Sequence, residues 1–168
     1  VEIIDNGANG EGIAKIDGFT VFVDNSLKGE RCKILIVKVN KNFAYGKIME
    51  IMEKSQYRIE PDCDTYKRCG GCNLRHINYD YTLKMKQAMV QNLANKSLNE
   101  KIEVKQTIGM ENPFYYRNKL QYPIGLNKNG KNIMGVFANR THDIIETDNC
   151  KIQNKEAQKV ANEFIDIL

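Results

Sequence analysis

Four of the chain's five cysteines stand at a spacing that suits a metal centre. Cys63, Cys69 and Cys72 lie inside P-D-C-D-T-Y-K-R-C-G-G-C, and Cys150 follows much later in T-D-N-C-K-I-Q. Three thiolates from one tight loop and a remote fourth make an all-sulfur tetrahedral donor set, the set that holds zinc or an iron–sulfur cluster. Structural zinc usually draws two close-spaced knuckles from two loops, and only Cys69–Cys72 is close-spaced here. The three-plus-one arrangement suits a cubane cluster better, with zinc and unliganded thiols as the alternatives. Gly70 and Gly71 leave room for the loop to wrap a bulky core and to aim backbone N–H groups at sulfur. Lys67, Arg68 and Arg75 are expected to favour the thiolate forms.

The elements that must position these thiols differ along the chain. Residues 1–54 are β-rich, with Gly7, Gly10, Gly12 and Gly18 between short strands. G-I-A-K-I, F-T-V-F-V, R-C-K-I-L-I-V-K-V and F-A-Y-G-K-I-M-E-I are the strands, and they predict a small closed barrel of OB-like type. Phe19 and Phe22 are expected in its core. Residues 55–168 form the second part, with the boundary between Met52 and Ser55. There the cysteine loop is followed by a helix capped by Asn78, with Tyr79, Leu83, Lys86, Val90, Leu93 and Ser97 on its inner stripe. Strands are expected over 102–108, 115–126, 132–138 and 142–147, with Asn129-Gly130 as a hairpin turn. A last helix over 153–168 carries Ala157, Val160, Phe164 and Leu168 on one stripe. The fold class is thus mainly β with an α+β second part.

Composition, at 42% hydrophobic and 27% charged, is that of a globular protein. No apolar run is long enough for a membrane span and no signal peptide opens the chain. An odd cysteine count without a secretory signal argues against a disulfide framework and for a reducing cytoplasm. The chain begins at Val1 without Met, and its last helix lacks a stop signal, so it reads as a piece of something longer. The net charge of +4 falls unevenly: residues 1–54 are balanced, and the surplus surrounds the cysteine loop, compatible with a polyanionic partner.

Two surfaces carry residues suited to nucleic acid. In Y-Y-R-N-K-L-Q, strand alternation would put Tyr115, Arg117, Lys119 and Gln121 on one face and Tyr116, Asn118, Leu120 and Tyr122 on the other. Cations, an aromatic ring and an amide grip phosphates and stack on unpaired bases; a merely solvated strand face is the alternative. On the barrel, Lys28, Arg31, Lys38, Lys41, Phe43 and Tyr45 offer the same chemistry, again against a solvated surface. His76 and His142 read as structural histidines, and Cys32, in an apolar strand, as a buried structural thiol.

S-Q-Y-R-I-E-P-D-C-D-T-Y-K-R-C-G-G-C-N-L-R-H-I-N-Y resembles the cluster loop of the RNA uracil-5-methyltransferases. N-G-A-N-G-E-G-I-A-K-I-D-G-F-T-V-F-V resembles that family's TRAM domain. F-Y-Y-R-N-K-L-Q-Y-P-I-G and T-H-D-I-I-E-T-D-N-C-K-I-Q resemble its central domain, so the likeness runs through nearly the whole chain. The resemblance implies a TRAM barrel followed by a truncated Fe–S-bearing α+β domain, with Cys63, Cys69, Cys72 and Cys150 holding a 4Fe–4S cluster. It implies a parent enzyme that methylates C5 of a uridine with S-adenosylmethionine, most like the bacterial 23S ribosomal RNA type. The expected partner is a single-stranded loop of ribosomal RNA, gripped foremost by Arg117. No Gly-rich S-adenosylmethionine unit occurs here; that unit, the nucleophilic cysteine and the base are expected past Leu168, leaving no catalytic residue in this chain. The competing reading is a stand-alone RNA-binding or redox-sensing module with no catalysis.

Overall fold

Short alternating segments separated by glycine turns become a curved sheet because each buries one face and turns the other to water. A computed structural model describes residues 1–119 and 121–168. In it, β1 (Asp5–Asn6), β2 (Gly12–Ile16), β3 (Phe19–Asp24), β4 (Arg31–Val39) and β5 (Phe43–Glu53) form one sheet in the order β1-β2-β3-β5-β4. Asp17-Gly18 joins β2 to β3 with φ of 49° and 82°, the two left-handed residues of a tight hairpin turn. The sheet closes through the first residues. The Ile3 amide donates to Glu30 O and the Cys32 amide to Val1 O, both at 2.8 Å, while the Ile4 amide reaches Ile13 O on β2 at the same distance. Ile3, Ala14, Val21, Val23, Cys32 and Ala44 fill the interior. The expected small barrel is therefore formed, and Cys32 sits in its core. Burial raises the Cys32 thiol pKa, and the neighbouring Glu30 carboxylate raises it further.

One ionic contact lies beneath this barrel. Glu30 is fully buried, and its carboxylate accepts from the Leu27 amide at 2.9 Å and from Arg58 Nη2 at 2.8 Å, with Arg58 Nε bonded as well. Arg58 also donates to Asn25 O at 2.7 Å. His76 is buried against this pair. Its pKa is lowered to about 4, first by burial and then by the Arg58 cation, so it stays neutral. The structural role expected for His76 agrees with this placement.

By compactness the chain divides into one unit of Val1–Glu60 with Asn73–Gly109 and another of Pro61–Cys72 with Met110–Leu168. This differs from a single cut at residue 54. Arg58 and His76 belong with the barrel through Glu30, and Tyr57 stacks on Tyr81 with ring centroids 3.9 Å apart. The helix α1 (Tyr79–Ser97) is thereby tied to the barrel unit. Asn78 caps it as expected, its Oδ1 accepting from the Asp80 and Tyr81 amides at 3.0 and 3.3 Å. The expected inner stripe does not hold: Val90 and Leu93 are 47% and 57% exposed. The face that works is Leu83, Gln87 and Gln91. Gln87 donates to Val104 O, and Gln91 both accepts from the Val104 amide and donates to Ile102 O, each at 2.8 Å. These side-chain amides take the place of a neighbouring strand, so residues 102–108 run without strand pairing.

In the second unit, β6 (Ile124–Leu126), β7 (Asn132–Phe137) and β8 (Ile144–Glu146) form an antiparallel sheet, followed by α2 (Lys155–Ile167). The Asn129-Gly130 turn is present inside a longer loop, where Asn127 Oδ1 accepts from the Asn129 and Lys131 amides at 2.9 and 3.1 Å. Gly135 lets β8 cross β7 closely; a Cβ there would stand 1.8 Å from Ile145 O. Of the strand expected over 115–126 only Ile124–Leu126 forms. Tyr115 adopts φ 55°, which breaks the alternation, and Leu120 lies outside the described residues. Of the α2 stripe, Val160 and Phe164 are 65% and 51% exposed, and Gln158 is the helix residue that is buried. No helix among the described residues is long and apolar enough to cross a membrane.

Candidate cysteine centre and nucleic-acid surface

The loop Cys63–Cys72 is built by tight turns and docked by backbone bonds. The Tyr66 amide donates to Cys63 O at 3.1 Å and the Cys69 amide to Thr65 O at 2.9 Å. Cys69 bridges to Ala138, with the Gly70 amide on Phe137 O at 3.2 Å and the Asn139 amide on Arg68 O at 2.9 Å. A Cβ on Gly70 would stand 3.3 Å from the Asn139 Cα, a tight contact that the glycine avoids. Cys150 is set by a separate relay: its amide donates to Gln158 Oε1 at 3.3 Å, Gln158 donates to Asn162 at 2.9 Å, and Asn162 donates to Asp148 O at 3.0 Å. The Tyr122 hydroxyl also donates to Gln158.

These two constructions bring the distant thiols together. Cys63, Cys69, Cys72 and Cys150 line one cavity of about 20 Å³, with Tyr66 and Ile152 among its walls. None of the five cysteines is in a disulfide. Among the described residues, no three His, Cys, Asp or Glu side chains converge as a set that would hold a metal ion; the quartet shares a cavity without that tighter convergence. The Gly71 amide donates to Cys69 Sγ at 3.2 Å, and Cys63 Sγ lies 3.3 Å from Thr65 Oγ1. Burial pushes the Cys69 thiol pKa up, and the Cys150 and Cys63 sulfurs add to the rise, while the Gly71 and Cys72 amides pull it down. Burial thus outweighs the effect expected from Lys67 and Arg68.

The barrel carries the second candidate. Phe22 faces outward, because Val21 and Val23 on either side of it point into the core. It stands opposite Tyr45 in the parallel β3–β5 register. Phe22, Phe43 and Tyr45 form a half-buried trio with centroids 5.5 to 6.0 Å apart. Phe22 is thus a correction to the expected core, and strict alternation in F-T-V-F-V would have revealed it. Lys38 pairs with Tyr45 across β4–β5, and Lys41 sits in the turn that leads into Phe43. Two cations expected in the same patch are engaged by acids: Lys28 with Asp5 at 3.4 Å and Arg31 with Glu53 at 3.5 Å.

Tyr115, Arg117, Lys119 and Gln121 do not share a strand face. The Tyr115 amide instead donates to Lys151 O at 3.0 Å, the Arg117 amide to Ile152 O at 2.9 Å, and the Asn154 amide to Arg117 O at 3.1 Å. Lys155 Nζ lies 4.3 Å from the Tyr115 ring centre. Arg117, Lys119 and Gln121 are exposed. The run is therefore registered by backbone to the segment that follows Cys150, and Lys155 is a cation beside it that sequence spacing did not indicate. His142 is exposed and packs edge-on against Phe137 at 5.3 Å.

Residues 1–49 match the family model of the TRAM domain. An RNA methyltransferase of Clostridium acetobutylicum, itself uncharacterised, is 45% identical over 164 residues, 95% of this chain and 35% of the relative. Another, from Staphylococcus aureus, is 41% identical over 167 residues, 99% of this chain and 37% of the relative. The chain is thus similar, over nearly all of its own length, to proteins named RNA methyltransferases, and it spans about a third of the length of the curated relatives it matches. A fold likeness goes with this kinship. The crystal structure of Pyrococcus abyssi tRNA (uracil-54, C5)-methyltransferase with S-adenosyl-L-homocysteine aligns over 98% of this chain and 35% of that one. Its TM-score is 0.61 at 20% identity.

Proposed function

We propose that this chain is the RNA-recognition part of a cytoplasmic, S-adenosylmethionine-dependent RNA (uracil-5-)methyltransferase of the 23S ribosomal RNA type. The observation that carries the reading is the Phe22–Phe43–Tyr45 trio on the TRAM barrel, with Lys38 and Lys41 beside it. Aromatic faces take unstacked bases in a loop, and lysines take the phosphates between them. A uridine in a stacked helix hides its C5, so the enzyme must act on a splayed base, and a platform that holds neighbouring bases open serves that need. Arg117, exposed and fixed through its backbone to Ile152, supplies a further phosphate contact, with Lys119, Gln121 and Tyr115 flanking it. The methyl donor's site and the nucleophile belong to the remainder of the enzyme.

Cys63, Cys69, Cys72 and Cys150 would hold a 4Fe–4S cluster. What supports this reading is the donor chemistry: four thiols line one cavity, and the Gly71 amide donates to Cys69 Sγ. Burial, and after it the nearby Cys150 and Cys63 sulfurs, raises the Cys69 thiol pKa, and a bound cationic centre would offset both effects. When bound, the cluster supplies a covalent cross-link between the loop and Cys150; methyl transfer itself involves no electron transfer. Iron and sulfide analysis of anaerobically purified protein tests the assignment, with Cys69→Ser expected to lose the iron. Unchanged iron content in that variant would remove Cys69 from the ligand set, and stoichiometric zinc would replace the cluster. For the RNA surface, Phe43→Ala with Tyr45→Ala is expected to weaken binding of a ribosomal RNA hairpin, and equal affinity would sink that assignment.

A further inference from the structure

A groove in the barrel unit is left unexplained by the aromatic platform. It has a volume of about 480 Å³ and runs between one face of α1 and the Asp5–Gly10 turn region with Lys28. Its apolar lining includes Leu74, Met85, Met89 and Leu93, and Met89 and Leu93 remain 38% and 57% exposed. The α1 residues come from the face turned away from Gln87 and Gln91, which are occupied with residues 102–104. Around the lining stand Lys28, Lys84, Lys86 and Lys96. The one carboxylate that joins them is Asp5, already 3.4 Å from Lys28 Nζ.

An apolar floor rimmed by cations selects a ligand that is flat and apolar in part and anionic at its edge. A single strand of RNA has both properties: bases present faces that pack on methionine and leucine, and phosphates recur along the strand. Lys84 and Lys96 lie more than three helical turns apart on α1, so the rim can follow a strand rather than clamp a single phosphate. We infer that this groove is a second RNA-binding track on the chain. It takes a single-stranded segment with phosphates on Lys84 and Lys96 and a base against Met85 and Met89. The inference rests on the RNA reading above but on different residues, so the two are separable by experiment.

The test measures binding of a labelled oligouridine to the chain as a function of salt. Lys84→Gln with Lys96→Gln, on exposed positions of a helix, is expected to lower affinity several-fold. It should also reduce the salt slope by about 1.4, the value for two phosphate contacts on a single strand. Met85→Ala with Met89→Ala is expected to lower affinity while leaving that slope unchanged, because it removes base packing and no charge. Bromouridine in the probe should cross-link to the α1 peptide that contains Tyr81 to Met89. If the lysine pair binds oligouridine with unchanged affinity and slope while Phe43→Ala with Tyr45→Ala weakens it, the groove is overturned and the platform stands. If neither pair matters, both fall. Tighter binding of oligoglutamate than of oligouridine, lost in the lysine variant, would assign the groove to an acidic peptide and overturn the RNA track.

Discussion

The barrel unit and the cysteine unit are held together by different means. In the barrel, Ile3, Ala14, Val23 and Cys32 are wholly buried, and a buried Glu30–Arg58 contact fixes the strand that follows. In the cysteine unit the buried apolar residues, such as Ile133, Met134, Ile145 and Ile152, each keep 6–7% of their surface, and a cavity lined by four thiols lies among them. The first folds by hiding alternate side chains. The second combines a thin apolar layer with bonds that run through glycine amides and cysteine sulfurs. A small domain with little core generally needs such added ties.

The sharpest way to break this contrast is Glu30→Ala. Removing one partner of a buried ion pair is expected to cost about 3–5 kcal/mol. The loss should appear as faster amide exchange in β2, β3 and β5 and leave β7 amides unchanged; equal loss in both units would mean they do not differ as argued. Acid is the next lever. His76 has a folded pKa of about 4 against an ordinary value near 6.5, so the unfolded chain binds the extra proton in between. Stability from this group is complete above pH ~6.5 and declines as pH falls toward 4, by up to about 3 kcal/mol. His76→Gln should flatten that decline, and a melting curve equally acid-sensitive in the variant would remove His76 as its cause. On the functional side, Tyr45→Ala is expected to weaken RNA binding by about 1–3 kcal/mol through one lost stacking partner without altering thermal stability by as much; filter-binding and melting on the same sample separate the two. The smallest effect is local to the cysteine unit. Asn154 Oδ1 accepts from the Ala157 amide at 3.1 Å as the α2 cap, and Asn154→Ala should cost about 1 kcal/mol, seen as lost protection in α2 and not in α1.

How far each unit could be read beforehand follows from the same contrast. Strands β2 to β5 were visible because period-two alternation and glycine turns encode them locally. The caps Asn78 and Asn154 and the Asn129-Gly130 turn are local signals too, although only Asn78 and the turn were singled out in advance. That Cys63, Cys69, Cys72 and Cys150 belong together was suggested by residue type alone, and the structure brings them to the wall of one cavity. What failed was non-local. Residues 102–108 have the composition of a strand, but their hydrogen bonds are taken by Gln87 and Gln91, which no spacing rule indicates. The Tyr115 run loses its alternation to a single left-handed residue, and its register is set by Lys151 to Asn154 across the chain. Phe22 turns outward because Val21 and Val23 on either side of it already claim the inner face. The stripe on α1 was drawn through Val90 and Leu93, which remain exposed, because a helix with two polar and apolar edges admits more than one reading. The lysine-rimmed groove needs the turn at Asp5–Gly10 beside the helix, and that proximity exists only in three dimensions.

The excursion of Pro61–Cys72 out of one unit and back at Asn73 has a consequence for synthesis. Proteins emerge from the ribosome in order, and units fold as their residues become available. The barrel strands are complete once Glu53 has emerged, while the twelve-residue detour has nothing to dock on until Phe137 and Cys150 arrive. The nascent chain therefore carries a thiol-bearing bight flanked on both sides by segments of the barrel unit, and its docking is a late event.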